Sequence, residues 1–131
     1  MTVVVDASVA VEYLLRTQIG QRAAAVIDQM DLIAPELLDA EILAVLRRVV
    51  IAGRLSETRA RSALDDLIDW PVRRLAHAPL IREAWTFRHN VSGYDALYLA
   101  AARLHGASVL TADGPLARAP ASGVTVENIR P

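Results

Sequence analysis

The chain has no cysteine and no lysine: all 14 basic side chains are arginine, set against 15 acidic ones for a formal net charge of -1. Without cysteine there are no disulfides, iron–sulfur clusters, thiolate zinc sites or thiol nucleophile. Without lysine there is no Walker A phosphate loop, whose lysine reaches the terminal phosphates, and no Schiff-base chemistry, which needs a primary amine. A receiver-type phosphorylation module of this size is disfavoured for the same reason, because it uses a lysine beside its acidic pocket. Long apolar runs are missing too. The longest, Ala96 to Ala102, falls far short of the roughly 20 residues of a membrane span. The N-terminal apolar run has no basic segment before it and meets Asp6 at once, which does not suit a signal peptide. These features lead us to expect a soluble, cytoplasmic protein whose chemistry rests on carboxylates, hydroxyls, arginines and a few histidines.

What is present is the material of one domain, residues 1–131, with 53% hydrophobic residues. A chain of this length buries roughly two-thirds of the surface it exposes when unfolded. Near-zero net charge neither marks a nucleic-acid binder nor excludes one, since a local arginine patch is easily offset elsewhere.

Thr2 to Val5 is short, apolar and β-branched, as expected for a strand buried on both faces of a parallel sheet. Helical patterns follow at Ser8–Leu15 and Gln21–Met30, then a short strand at Leu32–Ala34 closed by Pro35. A long helix is predicted from Glu36 to Ala52, ended by Gly53, and another from Ser56 to just before Pro71. Val72–Leu75 reads as a strand, Pro79–His89 and Ser92–Gly106 as helices, and Ser108–Thr111 and Gly123–Val126 as strands joined through the turn-rich Asp113-Gly114-Pro115. Short apolar strands alternating with helices predict an α/β sandwich around a mainly parallel sheet flanked by helices.

Four acids occupy unusual places. Asp6 and Asp113 each follow a predicted strand, where open α/β sheets place their binding crevices. Each also has a local role open to it, Asp6 as a helix cap and Asp113 as a turn residue. Glu41 falls at the edge of an apolar stripe of Leu38, Ile42, Val45 and Val49, where a carboxylate needs a cation, a metal or hydrogen bonds; Arg48 is one such cation. Asp95 completes a Ser92-Gly93-Tyr94-Asp95 capping pattern at the start of a helix whose Tyr98, Leu99 and Ala102 point it inward. If the two strands are neighbours, Asp6 and Asp113 face one crevice; with Asp95 on an inward-facing helix start and Glu41 on an apolar helix face, the four could converge on one pocket, and such a cluster calls for a cation. Oxygen-only donors select a hard ion, Mg²⁺ or Mn²⁺. A carboxylate cluster holding Mg²⁺ is a common device for phosphodiester hydrolysis.

These blocks carry a resemblance. Val4-Val5-Asp6-Ala7-Ser8, Glu41 with Leu46-Arg47-Arg48, Tyr94 to Ala100, and Leu110-Thr111-Ala112-Asp113 stand in the order found in PIN-domain ribonucleases. More closely, the chain resembles the toxin of a VapBC-type toxin–antitoxin pair. The resemblance implies a PIN-like three-layer sandwich in which Asp6, Glu41, Asp95 and Asp113 hold the metal, supported by the hydroxyls of Ser8 and Thr111. It implies Mg²⁺-dependent endonucleolytic cleavage of RNA by a metal-activated water, leaving a 5′-phosphate and a 3′-hydroxyl. Ala44 departs from the pattern, because similar toxins often carry Asn at that place.

RNA contact falls to arginine, whose planar fork pairs with phosphate, and Arg47, Arg48, Arg88 and Arg118 are the candidates nearest the predicted pocket. His77, His89 and His105 sit in a loop or at helix ends and are given no catalytic role. Val9, Val11, Tyr13, Leu14 and Leu15 offer more apolar surface than one short helix needs. The resemblance assigns the excess to a groove for the C-terminal segment of a cognate antitoxin and to a homodimer surface. Three alternatives compete with the toxin reading: a PIN-fold module that binds RNA or protein without cutting, a metal-dependent phosphatase, and a DNA nuclease. The Asp6-Ala7-Ser8 segment lacks the second aspartate of haloacid-dehalogenase-type phosphatases.

Overall fold

The computed structural model describes residues 1–119 and 123–130. Five strands, β1 (Thr2–Val5), β2 (Asp31–Pro35), β3 (Arg73–Leu75), β4 (Ser108–Thr111) and β5 (Val126–Asn128), form one sheet in the order β3-β2-β1-β4-β5. Every pairing is parallel, so the expected mainly parallel sheet is wholly parallel among the described residues. The helices are α1 (Ala7–Leu14), α2 (Gln18–Ile27), α3 (Leu37–Ile51), α4 (Glu57–Asp69), α5 (Ile81–Trp85), α6 (Gly93–His105) and α7 (Gly114–Arg118). The result is a three-layer α/β arrangement.

The sheet grows outward from β1 in both directions, first through β2 to β3 and then, after the chain crosses back, through β4 to β5. The point of reversal lies between β1 and β4. At such a switch point the connections leave the carboxyl ends of neighbouring strands in opposite directions and open a crevice. Val5 pairs with Leu110, so Asp6 leaves the sheet beside Thr111, and the conditional expectation that β1 and β4 are neighbours holds. The core is built from the central strands and α6: Val4, Val5, Ala34, Leu99, Ala100, Ala101 and Val109 are fully or almost fully buried. The alanines on α6 let that helix lie close against β1, β2 and β4.

Several element boundaries differ from the sequence expectation, most by one residue and some by more. α2 starts at Gln18 rather than Gln21 because Thr17 caps it, accepting from the Gly20 N–H at 3.0 Å. Gly20 is required there: a Cβ would lie 1.9 Å from the Glu12 carbonyl oxygen. The expected Pro79–His89 helix is a 3-10 turn, Ala78–Leu80, followed by the short α5. Beyond Trp85 the chain continues in three-residue bonds, including Phe87 N–H to the Ala84 carbonyl and Arg88 N–H to that of Trp85. The Asp113-Gly114-Pro115 turn begins a helix, α7, since proline is tolerated in a first helical turn where its missing N–H has no partner to lose. The last strand is Val126–Asn128, later than the predicted Gly123–Val126, with Gly123 in the left-handed region at φ 77°. No helix among the described residues is long and apolar enough to cross a membrane.

Candidate active site

Asp6, Glu41, Asp95 and Asp113 all line one cleft of about 370 Å³, together with Ser8, Val45, Tyr98 and Arg130. The four acids come from four separate elements: the ends of β1 and β4, the second turn of α3 and the first turn of α6.

Asp6 is 5% exposed and is the most constrained of the four. Its Oδ1 accepts from Ser8 Oγ at 2.6 Å and from the Val9 N–H at 3.1 Å, and its Oδ2 accepts from Thr111 Oγ1. Ser8 and Thr111 are each held in turn by backbone donors, Ala112 N–H and Asp113 N–H, both at 2.9 Å. Each hydroxyl therefore accepts from the β4–α7 loop and gives its single proton to Asp6. The 3.2 Å approach of the two hydroxyl oxygens has no proton left to bridge it. The expected supporting place of Ser8 and Thr111 is thus a pair of hydroxyls clamping one carboxylate.

Burial pushes the Asp6 carboxyl up to about 6, against the lowering effect of its three hydrogen bonds, and repulsion from Asp113 adds to the rise. Asp95 is raised first by burial and then by the same Asp113 charge, with the Ser92 hydroxyl acting in the opposite direction. Burial thus leads in both cases, with the Asp113 charge adding to it, and a cation in the cleft would oppose both effects.

The local roles open to Asp6 and Asp113 coexist with their place in the cleft, while at Asp95 the Ser92 half of the capping pattern forms. Asp6 caps α1, Asp113 caps α7 by accepting from Leu116 N–H at 3.3 Å, and Ser92 caps α6 by accepting from Asp95 N–H at 3.2 Å. Glu41 has a different partner from the Arg48 that its sequence offered. It accepts from the Tyr98 hydroxyl at 2.6 Å, while Arg48 is exposed. Tyr98 is buried, and its hydroxyl is pushed far above the usual range by burial, by its bond to Glu41 and by the Glu41, Asp6 and Asp95 charges.

Sequence reasoning missed two cleft residues. Tyr98 read as core, although it lies three positions after Asp95 and therefore on the same face of α6, a signal that was available. Arg130 had no local signal. It reaches the cleft because β5 pairs with β4, which sets its Nε 2.7 Å from the Ala112 carbonyl. None of the four proposed RNA-contacting arginines lines this cleft. Arg47 borders a groove between α3 and α4, and Arg88 stacks over the Trp85 ring at 5.1 Å from its centroid. Arg48 and Arg118 are exposed, the latter lying over Gly114. His77 has a structural role: its Nε2 accepts from the Leu37 N–H at 2.9 Å and so caps α3.

The donor set fits a hard divalent ion, being all oxygen and net negative. Among the described residues no three carboxylates or histidines stand close enough to form a ready-made cage.

Residues 3–121 match the PIN domain family. Ribonuclease VapC1 of Mycobacterium tuberculosis is 45% identical over 98 residues, 74% of this chain and 74% of that protein. Ribonuclease VapC3 of the same species is 39% identical over 120 residues, 89% of this chain and 86% of that protein. Two solved structures share the fold. VapBC2 from Rickettsia felis, bound to a DNA fragment from its promoter, superposes with a TM-score of 0.70 at 12% identity, covering 98% of each chain. VapC20 of Mycobacterium tuberculosis, a sarcin–ricin loop cleaving toxin, superposes at 0.67 with 20% identity, covering 94% of this chain and 98% of that one. Together with the acidic cleft at the switch point, these matches place the chain in the PIN domain family, in its VapC group.

Proposed function

We propose that this chain is a metal-dependent endoribonuclease, the toxin of a type II toxin–antitoxin pair. The observation that carries the reading is the meeting of Asp6, Glu41, Asp95 and Asp113 in one cleft, in a chain 45% identical to a protein named Ribonuclease VapC1. Mg²⁺, or Mn²⁺ in its place, supplies positive charge against the phosphate and makes water a better nucleophile at neutral pH. The protein's own contribution is placement. Ser8, Thr111 and the Val9 N–H hold the Asp6 carboxylate in one orientation. The Tyr98 hydroxyl holds Glu41, and the caps of α6 and α7 fix where Asp95 and Asp113 enter the cleft.

An antitoxin partner is supported by fold neighbours solved as VapBC2 and FitAB complexes. The groove between α1, α2 and α4 is the place we assign to its C-terminal segment. This groove is about 550 Å³, floored by Leu14 and the stacked rings of Tyr13 and Trp70, and rimmed by Asp28, Asp66 and Asp69. An apolar helix carrying arginine complements both its floor and its rim. We assign a homodimer to the α5–α6 face, where Ile81, Trp85 and Tyr94 are exposed at 57%, 66% and 64%.

The deciding experiment uses antitoxin-free protein and structured RNA. Cleavage with Mg²⁺, and its loss with EDTA and in the Asp6→Asn variant, is the expected result. Undiminished cleavage by Asp6→Asn would overturn the assignment.

A further inference from the structure

Arg130 stands where two cavities meet. It lines the acidic cleft, and it also lines an adjoining cavity of about 380 Å³ formed with Gln18, Ile19 and Arg22. Gln18 and Arg22 are four residues apart and so project from one face of α2. Two guanidinium groups thus line the cavity next to the carboxylate cleft, and one of them, Arg130, lines both, in a protein whose net charge of -1 gives RNA no general attraction.

The Arg130 side chain is fixed. Its Nε donates to the Ala112 carbonyl at 2.7 Å, and Nη2 donates to Glu12 Oε1 at 3.3 Å. Glu12 is itself engaged by the Thr17 hydroxyl. Because Ala112 lies between Thr111 and Asp113, the guanidinium is tied to the loop that carries the site. Nη1 of Arg130 donates no bond among the described residues, and Arg22 has neither an ion pair nor a side-chain bond among them. Both retain donors for a ligand.

We propose that this second cavity is a phosphate subsite, in which Arg22 and Arg130 hold a backbone phosphate of single-stranded RNA next to the one presented to the carboxylates. The inference rests on the ribonuclease reading and adds a direction to it: the strand leaves the cleft over Arg130 toward α2. A guanidinium offers paired donors to phosphate, and one already anchored on two sides loses little freedom on binding. The acidic cleft repels an approaching phosphate until a cation is present, so an arginine pair beside it gives the substrate a hold independent of the cation.

The test measures cleavage kinetics and, in EDTA, equilibrium binding of a single-stranded RNA oligonucleotide, for the wild type, Arg22→Ala, Arg130→Ala and Arg130→Lys. Arg54→Ala, which lines neither cavity, is the control for loss of one charge. Each alanine variant is expected to raise KM about tenfold with the loss falling on KM rather than kcat. Each also lowers the magnitude of the slope of log K against log salt, by at most about 0.7, the single-strand value for the one phosphate the pair shares. Arg130→Lys recovers the slope but only part of the affinity, because it keeps the charge and loses the fork. Unchanged KM and slope in Arg22→Ala, an exposed helix position whose loss leaves the fold intact, overturns the subsite while leaving the nuclease standing. An equal effect from Arg54→Ala also overturns it, since net charge then explains the result. If the wild type cuts no RNA but the arginine variants still lose oligonucleotide binding, the subsite stands and the nuclease reading fails.

Discussion

The Tyr98 hydroxyl donates to Glu41 Oε1 at 2.6 Å, joining α6 to α3 across 57 positions of sequence. The bond answers the question posed by Glu41, a carboxylate at the edge of an apolar helix stripe. It is met by a neutral donor rather than by a cation, so no protein cation is spent on Glu41 by this bond. Because Tyr98 is held far above its usual range, by burial first and by Glu41 second, it stays a donor throughout the working pH range.

Tyr98→Phe keeps the buried ring and removes only this bond. Glu41 is half-buried and recovers part of the loss from water, so a destabilisation of about 1 kcal/mol is expected. A second effect falls on Mg²⁺: its half-saturating concentration for cleavage rises several-fold, while the melting temperature falls by only a few degrees. An unchanged Mg²⁺ requirement in a folded Tyr98→Phe protein would remove the hydroxyl from the site.

Asp6 supplies a pH signature. Its carboxyl is raised from 3.8 to about 6, chiefly by burial. The protonated form is therefore the one the fold prefers. The stability it contributes is complete below pH 3.8 and is lost as pH rises through about 6. The span corresponds to roughly 3 kcal/mol at 1.36 kcal/mol per unit. Without divalent ions, the stability of the wild type relative to Asp6→Asn should fall between about pH 4 and pH 7, and urea denaturation at several pH values measures it. Added Mg²⁺ favours the ionised carboxylate, so it should stabilise the protein more at neutral pH than at pH 5, with cleavage rising through about pH 6. A flat difference between wild type and Asp6→Asn would show that Asp6 titrates normally.

Arg74 tests the meaning of an all-arginine composition. Its Nε and Nη2 reach Asp39, its Nη1 reaches the Trp70 and Val72 carbonyls, and its Nη2 also reaches Leu67 O at 2.8 Å. One side chain thus closes the end of α4 and ties β3 to α3. Lysine has one nitrogen and cannot serve these partners together. Arg74→Lys is expected to cost about 2 kcal/mol in chemical denaturation, with RNA cleavage retained at temperatures where the variant is folded. A variant as stable as the wild type would mean that charge alone suffices there.

The sequence by itself determined the strands around the switch point, the long helices and the acids. The short apolar run Thr2–Val5 and the run Ser108–Thr111 read as buried strands with an acid beyond their carboxyl ends, because four residues are too few for a helix and Val and Thr favour the pleated sheet. The four acids were legible by position: Asp6 and Asp113 beyond strand ends, Glu41 at the edge of an apolar helix stripe and Asp95 at an inward-facing helix start. Short-range chemistry was harder to read around Pro79 and Pro115, where proline is compatible with a 3-10 turn, a turn or a helix start, and neighbouring contacts chose among them. Only the tertiary structure decided who meets whom. The parallel pairing of β1 with β4 turned two separate hydroxyls into a clamp on Asp6, and the pairing of β4 with β5 carried Arg130 to the cleft. Partners 57, 105 and 18 residues apart leave no periodic trace in the chain, because their spacing is set by sheet register and helix packing rather than by local backbone geometry.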